Sequence, residues 1–517
     1  MTKELIEKLK REIADFREEI HAEKIGRVIE AADGVLRIRG LSDAASQEML
    51  EIETSKGVIQ ALALNLEEDA IGAVILGEAR AVKENDIVRR SGRVLSVPVG
   101  RELIGRVVGP LMEPLDAKGS VFADIASAPR YPLEKIAPGV MTRSPVSTPL
   151  HTGITAIDAM MPIGRGQRQL IIGDRQTGKT ALAIDAILNQ AQDTGRKTPI
   201  CIYVSIGQRE SKTRKIAEKL EMKGVMRYTI IVSASASAPA PLQYIAPYSA
   251  CALGEYFMEK GEDVLIIYDD LTKHANAWRE ISLLLRRPPG REAYPGDIFY
   301  AHARLLERAA HMATQYGGGS LTAFPIIETQ LDDISAYIPT NVISITDGQI
   351  YLQTDLFRRG IRPAINPGLS VSRVGSAAQT KAMKKVASRL RLDLAQFREL
   401  EAFTQFSAEL DESTRQRITR GMVMTELLGQ DEASPLPIHA QVLILWAGIY
   451  GHFDSVSIPS IKSTASAWIT YLETMHGAVI KDIVAQEDVS PETEKKLCTA
   501  MEIFRATPQF QNKPVTQ

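Results

Sequence analysis

The sequence predicts a multidomain α/β protein in which a small β-barrel, a domain with a mostly parallel sheet and an α-helical bundle follow one another. At about 100 to 200 residues per domain, a chain of 517 residues corresponds to about three domains. Short Val/Ile-rich runs fill its first part, apolar runs alternate with helical patterns in its middle, and no Gly or Pro occurs between Gly375 and Gly421. We therefore divide the chain into an N-terminal amphipathic helix (1–24), a β-barrel (25–95), a central α/β domain (96–379) and a helical bundle (380–517).

Composition limits the functions that the chain can have. Lys plus Arg number 61 and Asp plus Glu number 63, so a net charge of −2 provides no overall attraction to nucleic acid or anionic lipid. The three cysteines, Cys201, Cys251 and Cys498, lie far apart without metal-site spacing and are expected to be free thiols. No apolar run approaches the roughly 18 residues that a membrane span requires, and the N-terminus opens with charges instead of a signal peptide. We expect the protein to reach a membrane only through partners.

Residues 2–25 contain neither Gly nor Pro. Apolar side chains recur there at steps of three and four, which predicts one amphipathic helix. Its stripe comprises Leu5, Leu9, Ile13, Phe16 and Ile20. The helix either lies on its own domain or docks on a partner subunit, because it precedes any folded domain and would otherwise expose the stripe.

Short β-type runs such as 35–38 and 73–76 then indicate the barrel. Turn signals separate these runs at Asp33-Gly34, Gly72, Gly77 and Ser91-Gly92. No residue of this region points to a site.

The central domain alternates buried-type strands with candidate helices, as a parallel sheet covered by helices requires. The predicted strands are 169–172, 200–205, 228–232 and 264–268. The small-residue stretch 233–241 is predicted to be a loop.

A glycine-rich stretch lies between strand 169–172 and a helix predicted to begin near Lys179. It fits the pattern G-x-x-x-x-G-K-[S/T] and consists of Gly173, Asp174, Arg175, Gln176, Thr177, Gly178, Lys179 and Thr180. Its amides and the helix N-terminus supply positive potential to phosphates, its lysine reaches the β and γ oxygens, and its threonine hydroxyl can ligate Mg²⁺. The stretch predicts a RecA-like P-loop nucleotide-binding domain with ATP and Mg²⁺ as ligands.

The apolar run 264–268 ends in Asp269 and Asp270. An aspartate after a strand is usually part of a turn or a helix cap. In a domain with a phosphate loop it is also well placed to hold the magnesium shell through water. We assign Asp269 as the metal-side carboxylate, with Thr180 as the other metal ligand.

Hydrolysis needs a group that activates water, and ATPases of this build usually have a Glu after the strand beside the phosphate-loop strand. Here the candidate position, after strand 200–205, is Gln208. An amide can orient water but does not readily accept its proton, so slow or absent turnover is expected. We interpret Glu210, two residues further on, as a solvated residue at a helix start and not as a substitute base.

Five segments carry a family resemblance. They are 162–168 (PIGRGQR), 181–185 (ALAID), 284–292 (LLRRPPGRE), 339–349 (PTNVISITDGQ) and 370–375 (SVSRVG). Together with the phosphate loop they resemble the alpha subunits of F-type ATP synthases, over about residue 25 to the C-terminus.

The resemblance implies a regulatory, non-catalytic subunit that binds Mg-ATP in a rotary ATP synthase, an enzyme that makes ATP from ADP and phosphate with a transmembrane ion gradient. In that family three alpha and three catalytic beta subunits alternate in a ring around a central-stalk gamma subunit. A peripheral-stalk delta subunit would contact the N-terminal helix. The implied location is peripheral, on the cytoplasmic face of the bacterial inner membrane, with contact to the membrane only through the membrane sector.

The resemblance also implies residues at an alpha–beta interface. Arg373 would reach into the neighbouring catalytic site and stabilise charge on the transferred phosphoryl group, although from the sequence alone a surface arginine is the simpler interpretation. Ser344 and Ser370 are carried over as its neighbours. Segment 408–412 would face the shaft, or is simply a solvated helix face.

At the far end of the nucleotide, the resemblance places adenine near Phe357, Arg362, Pro363 and Gln430. The family commonly has a second amide two residues after Gln430, whereas this chain has the acidic pair 431–432. Base contacts are therefore expected to differ here.

A second hypothesis is a self-sufficient ATPase motor for export or nucleic-acid translocation, which can share this nucleotide domain. Such a motor should carry Glu at position 208, and a nucleic-acid motor should add a basic or aromatic-rich binding module. The sequence has neither feature.

Overall fold

The computed structural model describes residues 25–41, 43–193, 195–404 and 412–510, and only the backbone of 401–404. The described chain divides into two compact units between Leu95 and Ser96. The first is a β-barrel, and the second combines a nucleotide-binding α/β domain with a C-terminal helical domain, which confirms the predicted fold class. The predicted N-terminal helix 1–24 and residues 408–411 of the predicted shaft-facing segment 408–412 lie outside the described residues.

The first unit is a closed barrel of six antiparallel strands in the order β1-β2-β5-β4-β3-β6. Alternate residues point inward along the strands, and Val28, Leu36, Ile38, Leu50 and Ile52 are fully buried. The strands are β1 (Gly26–Ala32), β2 (Val35–Arg39), β3 (Glu48–Thr54), β4 (Gly57–Leu66), β5 (Ile71–Ile75) and β6 (Ile87–Val94).

Two predicted turn signals of the barrel lie inside strands, so those predictions were wrong. Gly72 is in β5 and faces the point where the register of β4 shifts. Gly92, in β6, adopts a φ of 65° where the pairing of β6 with β3 is irregular, and its amide donates to the buried Glu48 carboxylate over 3.0 Å. Both glycines lie at β-bulges. In the sequence, a glycine at a bulge looks like a glycine in a turn.

The second unit is built on an eight-stranded sheet in the order β16-β15-β10-β14-β13-β11-β12-β8. Neighbouring strands are parallel except for β16, which runs antiparallel to β15. The strands are β8 (Val107–Val108), β10 (Leu170–Gly173), β11 (Ile200–Gln208), β12 (Thr229–Ser235), β13 (Asp263–Asp269), β14 (Ser320–Glu328), β15 (Gly348–Leu352) and β16 (Val371–Ser372). A separate ribbon pairs β7 (Ser96–Pro98) with β9 (Arg130–Pro132).

Helices pack against this sheet, because its central strands are buried along nearly their whole length. They are α1 (Thr155–Met160), α2 (Lys179–Asn189), α3 (Glu210–Met222), α4 (Ala240–Glu259), α5 (Leu271–Leu284), α6 (Ile298–Leu306), α7 (Tyr337–Ile345) and α8 (Thr354–Arg358). The loop predicted at 233–241 is shorter than expected, since β12 extends to Ser235 and α4 begins at Ala240.

The C-terminal part of the second unit is helical, as predicted. Its helices are α9 (Lys381–Ala387), α10 (Leu390–Thr404), α11 (Glu412–Leu427), α12 (Ile438–Ile449), α13 (Ile461–Met475), α14 (Gly477–Gln486) and α15 (Pro491–Arg505). Helix α12 is buried along most of its length, with Trp446 against Trp468 of α13 at a ring-centroid distance of 6.4 Å. Within the described residues, no helix combines the length and apolar character needed to cross a membrane.

Candidate functional site

Four strands of the large sheet end in polar or glycine residues at the same edge. Strands β10, β14, β13 and β11 are consecutive in the sheet and parallel, and they end in Gly173, Glu328, Asp269 and Gln208. The carboxyl ends of parallel strands are where α/β proteins bind ligands, because the following loops and helix N-termini converge there. The candidate site lies at this edge.

The predicted phosphate loop connects β10 to α2, which begins at Lys179 as predicted. Gly178, the residue before the helix, has a φ of 103°, a left-handed conformation that favours glycine. Gly173 approaches the next strand closely, since a Cβ there would lie 2.5 Å from the Leu352 carbonyl oxygen. The loop therefore needs glycine at both positions to wrap around a ligand.

The Lys179 side chain lies inside the loop. Its ammonium group donates to the carbonyl oxygens of Gly173, over 2.7 Å, and of Asp174. It is only 8% exposed, and burial lowers its pKa. A buried cation held by loop carbonyls is pre-positioned for an anionic ligand.

Side chains outside the loop fix its shape. The Asp174 carboxylate accepts the Thr329 hydroxyl over 2.6 Å and the Asp332 amide over 3.0 Å. Arg175 forms an ion pair with Glu328, at the end of the neighbouring strand β14. The loop is thus tied to the segment that follows β14.

The two residues predicted to hold Mg²⁺ lie in direct contact, since the Thr180 hydroxyl donates to Asp269 Oδ2 over 2.7 Å. The same oxygen accepts the Tyr203 hydroxyl over 2.6 Å, and Asp269 is 2% exposed. Within the described residues no cluster of three or more His, Cys, Asp or Glu side chains forms a metal cage. A hydroxyl and one carboxylate fit Mg²⁺, which usually takes one or two carboxylates and completes its shell with water and phosphate oxygens.

Asp270 has a different environment from Asp269. It caps helix α5, because its Oδ1 accepts the Lys273 amide over 2.8 Å. Burial and the adjacent Asp269 charge raise its pKa to about 6. This arrangement supports the assignment of Asp269, and not Asp270, to the metal side.

Gln208 is buried, and its amide nitrogen donates to Asp269 Oδ1 over 2.9 Å and to Asp270 Oδ2 over 3.4 Å. Glu210 begins helix α3 with an exposed side chain, in keeping with a solvated residue at a helix start.

One premise about Gln208 was wrong. Its strand, β11, does not lie beside the phosphate-loop strand β10, because β14 and β13 lie between them. The crossover connections of a parallel sheet do not preserve chain order. The neighbours of β10 are β15 and β14. Strand β14 ends in Glu328, whose carboxylate forms an ion pair with Arg175.

The four residues predicted near the base, at the far end of the site from the phosphate loop, lie close together. The Arg362 guanidinium lies 5.0 Å from the centroid of the Phe357 ring, and Pro363 follows it directly. The backbone N–H of Gln430 donates to the backbone carbonyl of Arg362 over 2.8 Å. Its side chain accepts the Thr155 amide over 3.2 Å and donates to the Gly153 carbonyl over 2.7 Å. Gln430 therefore holds the segments that frame this end.

The acidic pair 431–432 beside Gln430 is exposed. Glu432 pairs with Lys219 of α3. The next amide, that of Ala433, donates to Asp185 of α2 over 2.9 Å.

The three residues predicted at an interface differ in their exposure. Arg373 is exposed, and within the described part of the chain its side chain makes no hydrogen bond or ion pair; its amide donates to the Asp347 carbonyl over 2.8 Å. Ser344 is exposed and bonds its own helix at the Asn341 carbonyl over 2.7 Å. Ser370 is fully buried, and its hydroxyl accepts the Tyr351 amide over 2.9 Å, so it supports the sheet edge next to β16.

Sequence reasoning missed three residues of the site. The sequence could have indicated Glu328, because this residue ends an apolar run just as Asp269 does. No local pattern points to Tyr203 or Lys212, because they contact Asp269 from other elements of the fold.

Comparisons with known proteins agree with this architecture. Profiles of the ATP synthase alpha/beta family match residues 22–92 (β-barrel domain), 153–372 (nucleotide-binding domain) and 379–504 (C-terminal domain). The chain is 55% identical over 482 residues to ATP synthase subunit alpha of Petrotoga mobilis, an alignment that covers 93% of this chain and 94% of that protein. It is 53% identical over 502 residues to ATP synthase subunit alpha of Aquifex aeolicus, with 97% and 98% covered.

Proposed function

The chain belongs to the ATP synthase alpha/beta family, and from that premise we propose that it is the regulatory, non-catalytic alpha subunit of a rotary F-type ATP synthase. The complete enzyme, an ion-transporting two-sector ATPase, makes ATP from ADP and phosphate with a transmembrane ion gradient. This subunit holds Mg-ATP at its own site and supplies an arginine to the catalytic site of a neighbouring beta subunit.

The interaction between Gln208 and Asp269 carries the non-catalytic part of the proposal. The Gln208 side-chain nitrogen donates to Asp269 Oδ1 over 2.9 Å, and both residues are buried. A glutamate at position 208 would place a second carboxylate against that of Asp269. A group that donates to a carboxylate is not a proton acceptor for water. The other carboxylates at this edge are engaged, since Asp270 caps α5 and Glu328 pairs with Arg175.

Residues of the chain account for tight binding without turnover. The loop amides and Lys179 surround the β- and γ-phosphates, and Thr180 with Asp269 holds the magnesium ion. Bound Mg²⁺ neutralises charge on the phosphate oxygens. Phe357, Arg362, Pro363 and Gln430 frame the adenine.

Arg373 is suited to act across a subunit boundary. Its backbone is fixed to Asp347, whose carboxylate is held by Arg168 over 2.7 Å, while its own side chain extends into solvent without a partner among the described residues. A guanidinium presented on a rigid edge can stabilise the charge of a transferred phosphoryl group in a neighbouring subunit. Ser344 and Ser370 have supporting roles in this region.

The proposal includes partners that the sequence family implies. They are beta subunits in an alternating ring of three alpha and three beta chains, a central-stalk gamma subunit and a peripheral-stalk delta subunit. The location is peripheral, at the cytoplasmic face of the bacterial inner membrane, and no role in nucleic-acid binding is included.

Steady-state hydrolysis by the full chain alone distinguishes this function from a self-sufficient motor. We expect stoichiometric ATP binding with turnover no faster than that of a Lys179→Met variant. Turnover well above that background would favour the motor and overturn the proposal.

Arg373→Ala tests the contribution in trans. In a ring reassembled with beta and gamma subunits, we expect multi-site hydrolysis to fall by about 10³-fold or more, the range for arginines that act on a neighbouring site. ATP binding to the isolated variant should be unchanged. Arg227→Ala, which removes another exposed arginine of the same unit, is the matched control. Loss of ATP binding by the Arg373 variant would refute the assigned role.

A further inference from the structure

A lysine that is not part of the phosphate loop contacts both predicted magnesium ligands. Lys212 Nζ lies 3.1 Å from Thr180 Oγ1 and 3.4 Å from Asp269 Oδ2. These two oxygens also contact each other over 2.7 Å. A positive charge therefore sits at the atoms where Mg²⁺ would bind.

The position of Lys212 is unfavourable for its own helix. It is the third residue of α3, and the first turn of a helix favours negative charge. A residue that breaks a local rule often does so at a functional site. Here the carboxylate of Asp269 compensates for the unfavourable position.

Lys212 is also free to move, because its side chain is 40% exposed and ends a flexible four-carbon stem. Asp269, by contrast, is buried and held by Tyr203 and Gln208. When a triphosphate enters, the ammonium group can turn from Asp269 to a phosphate oxygen while Asp269 stays in place.

We propose that Lys212 is a built-in cation of the triphosphate site, which takes over part of the charge neutralisation by Mg²⁺ and makes ATP affinity only weakly dependent on magnesium. Mg²⁺ and the ammonium group would compete for the same two oxygens and repel each other at short range. With the ion bound, Lys212 withdraws into solvent; without it, Lys212 and Lys179 share the phosphate charge. This inference rests on the proposed function, since it requires an ATP site.

The test measures ATP binding to the full chain by equilibrium dialysis, once with excess Mg²⁺ and once with EDTA. The quantity of interest is the ratio of the two dissociation constants. For the wild type we expect Mg²⁺ to tighten binding by less than about tenfold, and for Lys212→Met we expect that ratio to grow at least about tenfold, the effect of removing one charged contact to phosphate. Lys212→Gln, a second neutral variant, should behave in the same way.

Two variants serve as controls. Lys212→Arg keeps the charge and should retain a ratio close to that of the wild type. Lys215→Met removes an exposed lysine one turn further along α3 and should leave the ratio unchanged.

The outcomes separate the two claims. If both neutral variants bind ATP with the wild-type ratio, the role of Lys212 is refuted while the proposed function stands. If the wild type binds ATP under neither condition, the proposed function fails and the inference fails with it.

Discussion

The two ends of the proposed nucleotide site are built on different parts of the fold. At the phosphate end, Lys179, Gln208 and Asp269 are each less than 9% exposed and stand on strand ends of one sheet or on the helix that follows. At the base end, Arg362 and Glu432 are exposed and belong to loops, the first between α8 and β16 and the second between α11 and α12. Positions on a rigid sheet edge keep their geometry, whereas loops tolerate substitution.

This difference assigns separate tasks to the two ends. We expect the phosphate end to decide whether a triphosphate binds, because its charges are buried and their interactions are strong. We expect the base end only to adjust ATP affinity, because water screens its contacts. The exposed acidic pair 431–432 lies at the end where we expect a change to have the smaller effect.

The largest effect is expected from Lys179→Met. Loss of a buried charge that contacts phosphate should weaken ATP binding by about 10²- to 10³-fold. The variant should unfold at a urea concentration no lower than that of the wild type. Burial lowers the pKa of Lys179, so its positive charge destabilises the nucleotide-free chain. Lys384→Met, at an exposed lysine of α9, is the control for both measurements. A decrease in ATP affinity below about tenfold would contradict the division between the two ends.

Gln208→Glu tests whether the amide is required for the structure of the phosphate end. The variant places a second carboxylate against the buried Asp269 and removes the donor, so we expect a loss of about 2 to 3 kcal/mol in the free energy of unfolding at pH 8. Millimolar Mg²⁺ should restore part of it, since a divalent cation can bind between two carboxylates. Gln416→Glu, on the exposed face of α11, is the matched control. Unchanged stability in urea would show that the contact does not hold the site.

The sequence predicted the parts of the site that depend on local patterns. The phosphate loop and Asp269 each follow an apolar run, so neighbouring residues indicate that they lie where a strand ends. The three-part fold was predictable for the same reason, because the hydrophobic period changes along the chain.

What the sequence did not predict depends on the order of the strands. The insertion of β14 between β10 and β13 separates Gln208 from the phosphate-loop strand and brings Glu328 beside it. Side-chain contacts across the sheet have no local pattern either: Tyr203 reaches Asp269 from β11, and Gln430 bonds Thr155 from a distant part of the chain. Crossovers and long-range contacts are set by packing of the whole domain.

Asp185 links the two ends, because it lies on the helix that starts at the phosphate loop and accepts the Ala433 amide of the base end. Burial raises its pKa from 3.8 to about 6, so the folded chain carries an ionisation cost that is fully present above pH 6 and disappears as the pH falls towards 4. Asp185→Asn cannot ionise, and its carbonyl can still accept the amide. We expect it to raise the free energy of unfolding by about 1 to 2 kcal/mol at pH 8 and by only about a third as much at pH 4.5. Urea titrations at the two pH values check this, and an equal effect at both would exclude ionisation as the cause.

The smallest effect is expected from Glu432→Gln, which removes the ion pair with Lys219. The Lys219 and Glu432 side chains are 26% and 62% exposed, and an ion pair open to solvent contributes at most about 1 kcal/mol. Because the pair holds the base-end segment and does not touch phosphate, ATP affinity should change by less than about threefold, and less still in 0.5 M salt. Lys219→Met should give the same small change, and the double variant should not exceed either single one, since all three remove one interaction. A loss approaching that of Lys179→Met would mean that the base end also decides whether ATP binds, and the contrast between the two ends would not hold.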